Sequence, residues 1–85
     1  MTGPVNEVTI VYAGYGYLNQ TIDVTNGIKT EFAEGARTFL ATNRFGDPAK
    51  GKNKALFAVW KYGSGPLQSG VSFEGSKEGF TIQLT

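Results

Sequence analysis

The chain has 85 residues, 40% hydrophobic and 18% charged, which is enough for one compact domain with its own core and too little for two. Eight basic residues against seven acids leave a net charge of +1, so nucleic acid is not expected as a partner. The absence of cysteine and histidine removes disulfide staples, the usual zinc, copper and iron ligand sets, the Ser-His-Asp triad and the Cys-His pair, so neither a metal nor another cofactor is expected.

The start, "MTGPVNEV", has neither the basic nor the apolar part of a signal peptide. No run approaches ~20 apolar residues, so membrane insertion is not expected. The reading is a single module over 1–85, cytoplasmic, secreted by a route the sequence does not display, or cut from a larger protein. A domain this small gains stability by association, so a homo-oligomer is expected.

Twelve glycines among many β-branched and aromatic residues predict short strands and tight turns. "EVTIVYA" (7–13) places Val8, Ile10 and Tyr12 on one face of a central strand. "GYGYLN" (14–19) reads as a turn that exposes Tyr15 and Tyr17. "QTIDVT" (20–25) alternates Ile22 and Val24 inward with Asp23 and Thr25 outward, and Asp23 caps the following turn or pairs with a base. In "NGIKTEFAEG" (26–35) the four-residue spacing of Ile28 and Phe32 favours a short helix over 28–33, closed by Gly35.

"RTFLATN" (37–43) is predicted as a strand. "KALFAVWKY" (54–62) is the strongest strand, with Leu56, Ala58, Trp60 and Tyr62 on one face and Ala55, Phe57 and Val59 on the other. "GVSFEG" (70–75) and "GFTIQL" (79–84) close the chain, with Val71, Phe73, Phe80, Ile82 and Leu84 facing inward. The fold class expected is all-β or mostly β: a small antiparallel β-sandwich or open barrel of about six strands with one short helical turn.

"NRFGDPAKGKNK" (43–54) holds four of the eight basic residues. Asp47-Pro48 has the chemistry of a turn, and Gly46 and Gly51 supply unusual backbone angles at its ends. As a turn it needs no ligand. As a site, Asn43, Arg44, Asp47 and Lys54 offer donors and acceptors for sugar hydroxyls, and the local positive charge could meet a phosphate or an acidic glycan. A phosphate-binding P-loop is excluded by the spacing and by the strand that follows. Exposed aromatic rings stack on sugar C–H faces, which adds Tyr15 and Tyr17; Trp60 is a weaker addition, because it shares a face with Leu56 and Ala58. Glu31, Glu34, Glu74 and Glu78 lie in polar, turn-like contexts that do not raise a carboxyl pKa, so a hydrolase is not expected.

Tyr15-Gly16, Asp23-Val24-Thr25, Phe45, Asp47-Pro48, Gly51, Lys54 and Leu56 fall in an order and spacing that resembles the C-terminal domain of the DnaJ subfamily C member 11 proteins. The resemblance spans nearly the whole chain, with Ala58 and Trp60 standing where that pattern has valine and tyrosine. It implies a mostly-β accessory module without catalysis of its own, of a kind also found in bacterial and fungal carbohydrate-associated proteins. It brings no binding residues.

Together these readings favour a non-enzymatic, lectin-like carbohydrate-binding module whose partner is a glycan or glycoprotein. The expected site is Tyr15, Tyr17, Asn43, Arg44, Asp47 and Lys54, with Trp60 added. The alternative is a protein-interaction module that uses a strand edge and the basic loop 44–54.

Overall fold

The computed structural model describes residues 7–83. The opening "MTGPVN" and the inward placement of Leu84 lie outside the described residues. The element order is β1 (Val8–Tyr17), β2 (Gln20–Asp23), α1 (Thr25–Ala33), β3 (Thr38–Phe39), β4 (Ala55–Tyr62), β5 (Gln68–Phe73) and β6 (Phe80–Thr81). An antiparallel sheet is ordered β2-β1-β4-β5, and β3 and β6 form a separate antiparallel ribbon. The fold is therefore mostly β, as expected. Among the described residues no helix is long and apolar enough to cross a membrane.

The core lies on one face of the sheet. Ile10, Ala13 and Tyr15 of β1 and Leu56, Ala58 and Trp60 of β4 point into it. Ile28 covers them from α1, Phe39 from β3 and Phe80 from β6. The rings of Trp60 and Phe80 stack at 5.8 Å and 13° between planes, and Phe39 packs on Phe80 at 5.5 Å. The buried alternation of β4 is the predicted one.

Helix α1 forms where the four-residue spacing of Ile28 and Phe32 gives the chain a helical apolar face. It begins three residues earlier than predicted, at Thr25. Asp23 Oδ1 accepts the Thr25 amide at 2.8 Å, and the Thr25 hydroxyl accepts the Ala13 amide at 2.9 Å, which ties the helix start to β1. At its end the Gly35 amide donates to Phe32 and the Ala36 amide to Glu31, a Schellman pair that needs the positive φ of +112° at Gly35.

Three sequence expectations about strands are corrected. A bulge between Ile10 and Tyr12 shifts the register, so Tyr12 turns to the outer face and Ala13 and Tyr15 turn inward. As a result β1 runs on through "GYGY", and the turn there is confined to Leu18 and Asn19. The strand predicted over 37–43 is only Thr38–Phe39, because Arg44 ties the following backbone to α1 and its own neighbours. Finally, β5 has the opposite phase: Ser72 is buried and Val71 and Phe73 are exposed. The ring of Phe80 crowds the inner side of β5, where a Cβ on Gly70 would come within 2.9 Å of Phe80, so small residues occupy the inner positions.

Candidate functional site

Tyr15, Asn43, Asp47 and Lys54 meet at one end of the sheet, where the β1–β2 hairpin and the 43–54 loop come together. The loop is built from two turns, Gly46 amide to Asn43 carbonyl at 2.9 Å and Lys52 amide to Ala49 carbonyl at 3.1 Å. Gly46 and Gly51 take φ of +120° and +78° as the turn chemistry anticipates, and Ala49 is buried as the plug of the loop.

Lys54 holds this arrangement. It is buried to 2% exposure at the point where the loop enters β4. Its Nζ lies 2.8 Å from Asp47 Oδ1 and 3.2 Å from Glu74 Oε1, and 3.3 Å from each of the Ala49 and Lys52 carbonyls. The loop is thus wrapped around its own lysine. The hydrogen bond from Lys54 holds the Asp47 carboxyl below the usual range, and Asp47 in turn holds Lys54 above it, against the opposing effect of burial.

Glu74, beyond β5, is the member that the sequence reading dismissed. Its Oε1 accepts the Lys54 amide at 2.8 Å, which is the main cause that lowers its pKa, and Oε2 lies 3.1 Å from the Tyr15 hydroxyl. That hydroxyl also lies 2.7 Å from Asn43 Oδ1. A phenol has one proton and cannot serve both oxygens at once. Turning the Asn43 amide end for end lets Nδ2 donate to Tyr15 while Tyr15 donates to Glu74, and satisfies all three groups. Burial first, and the Glu74 bond second, push the Tyr15 phenol up to about 12.

The expected site residues therefore divide. Tyr15 is fully buried rather than exposed, because the bulge turned it inward, so its ring cannot stack on a ligand. Trp60 is buried against Phe80 at a distance from the loop, with its Nε1 donating to the Tyr62 hydroxyl at 3.3 Å. Arg44 forms a two-pronged ion pair with Glu31 of α1 at 2.7 and 2.9 Å, donates to the Leu40 carbonyl and the Thr42 hydroxyl, and stacks 4.5 Å from the Phe45 ring centre. Lys54 is enclosed. Tyr17, by contrast, is 37% exposed, and Lys52 Nζ stands 5.7 Å from its ring centre, within cation–π range. Asn43 is exposed and Asp47 partly so. Lys50 and Lys52 make no ion pair among the described residues.

Chemically this end of the molecule offers a ring, an amide, the outer lone pairs of a carboxylate and two free ammonium groups. Its acids Asp47 and Glu74 are shifted toward the ionised form and the Tyr15 phenol toward the protonated one. A groove of about 310 Å³ opens elsewhere, between Val8, Thr9 and Ile10 at the start of β1 and Lys29 and Phe32 of α1, and includes none of the expected site residues.

No protein-family model matches the chain, and neither a curated protein nor a solved structure matches it.

Proposed function

We propose that the chain is a non-enzymatic, lectin-like carbohydrate-binding module that takes an acidic saccharide at the hairpin end of the sheet. The observation that carries this reading is the meeting of the exposed Tyr17 ring with the 43–54 loop, Lys52 standing 5.7 Å from that ring. The Tyr17 face receives a sugar C–H face. Lys50 and Lys52 meet a carboxylate or sulfate, and Asn43 and the open side of Asp47 serve hydroxyls. Tyr15, Lys54 and Arg44 hold these groups in place, and Trp60 has no part in the contact.

The test is a glycan array followed by titration of any hit. Uronate-containing or sulfated saccharides are expected to bind, and Tyr17→Ala to weaken binding at least about tenfold with the thermal melt unchanged. Absence of any saccharide signal above background overturns the proposal. Asp47→Ala is the wrong variant for this purpose, because it strips a buried cation of its closest carboxylate. The protein-interaction reading has less support, since Arg44 and Lys54 of its basic loop are already engaged within the chain. Capture of a protein partner that is lost on Lys50→Ala and Lys52→Ala, with no saccharide binding, would favour it instead.

A further inference from the structure

The outer face of the sheet carries an apolar surface that the core does not use. Paired positions on β1, β4 and β5 set Tyr12, Phe57, Val59, Val71 and Phe73 side by side on it. Tyr12 is 38% exposed, Val71 51% and Phe73 55%, while Phe57 and Val59 are half-buried. The Phe57 ring lies close against Gly14, where a Cβ would stand 2.6 Å from it, and its centre is 5.8 Å from that of the Tyr12 ring. Helix α1 and the β3–β6 ribbon both pack on the opposite side, through Ile28, Phe39 and Phe80. The charges on this face, Lys61 and Asp23, stand at its margins.

Size and chemistry select the occupant. Aromatic side chains present up to ~250 Å² each, so the exposed fractions of Tyr12 and Phe73 alone leave on the order of 200 Å² open. With the valines and Phe57 the apolar centre reaches a few hundred Å², comparable to the ~300–600 Å² of the largest apolar patch on a typical monomer, which is often functional. A standard interface takes about 800 Å² from each partner, an apolar centre with a polar rim, and Thr9, Thr21 and Ser69 supply such a rim here. A twisted sheet face with an uncharged apolar centre is matched by another of the same shape, packed about 10 Å away. A second copy offers that surface without any further component.

We propose that two copies of this chain pack their outer faces together as a two-fold symmetric β-sandwich dimer. Val71 and Phe73 lie inside the contact, and the hairpin end with Tyr17 stays open on both copies. The dimer does not depend on the saccharide reading.

Sedimentation equilibrium of the full chain from about 10 µM to about 1 mM tests it. Wild type is expected to reach twice the 9.1 kDa monomer mass. Val71→Lys, which sets two ammonium groups in the contact, is expected to weaken association at least about tenfold. Phe73→Lys is the second variant, so that a folding defect in one leaves the other to decide. Leu18→Lys, at an 80% exposed turn position off this face, is expected to leave the dimer intact. Wild type that stays monomeric throughout, or a dimer that survives both face substitutions, overturns the proposal. A monomer that instead sediments with lipid vesicles or with a different protein places another occupant on the face and overturns it equally.

Discussion

A lysine ammonium withdrawn from water keeps its charge only where anions and carbonyls replace the lost hydration. Lys54 has two carboxylates and two carbonyls within 3.3 Å, and Lys52, two positions earlier, has only the Tyr17 ring among the described residues. The sequence "KGKNK" sets Lys54 apart only as the residue that starts the strongest strand and joins the expected site, and gives no sign that its ammonium is buried. The consequence is measurable. Lys54→Met leaves Asp47 and Glu74 facing each other without their cation, and its urea midpoint is expected to fall well below wild type. Lys52→Met is expected to leave the midpoint unchanged, as surface substitutions usually do. Equal midpoints for the two variants would show that the loop is not built around Lys54.

At the scale of elements, periodicity was legible where one face of a strand is continuous and failed where a neighbour intervened. Strand β4 alternates without interruption, and its buried face is the predicted one. Strand β5 reads as "GVSF", and Val71 and Phe73 look like the apolar face. The inner side is instead decided by Phe80, which leaves room only for Gly70 and Ser72. No residue of β5 itself carries that information. The Ser72 hydroxyl on that inner side is buried with no hydrogen-bond partner among the described residues. Ser72→Ala is therefore expected to stabilise the fold by up to about 1 kcal/mol, a rise of several degrees in melting temperature for a domain of this size. A lower melting temperature would mean that the hydroxyl does find a partner. In β1 the bulge after Ile10 likewise has no signal in "TIVYAGYG", yet it decides that Tyr12 faces out and Tyr15 in.

Over the whole molecule, what stayed hidden is what depends on distance along the chain. The mostly-β class, the helix with its Gly35 end and the positive-φ glycines Gly46 and Gly51 are local, and each could be read locally, whereas the hydrogen-bonded turns fall at Asn43–Gly46 and Ala49–Lys52 rather than at Asp47-Pro48. Glu74 reaches Tyr15 across 59 positions and Lys54 across 20, and joins β1, the loop and the end of β5 into one polar network. Because the network spans the fold, its titration sets the pH range of global stability. Asp47 and Glu74 are shifted below their ordinary values of 3.8 and 4.5. Their contribution is present above those values and is lost as pH falls through the lowered ones. Lys54 is shifted above its ordinary 10.5, so its contribution holds below that value and is lost as pH rises through the raised one. Tyr15 has the same sign: the unfolded chain releases the proton near 10.0 while the native phenol keeps it to about 12, so stability declines across that interval. The melting temperature is expected to be flat between about pH 5.5 and about pH 9.5 and to fall on both sides. Tyr15→Phe removes one of the two alkaline groups, so its alkaline limb is expected to be shallower, while its acid limb loses only the lesser part of the Glu74 shift that the Tyr15 bond supplies and keeps the part due to Lys54. If both limbs of Tyr15→Phe coincide with those of wild type, ionisation of the buried phenol has no part in the alkaline unfolding.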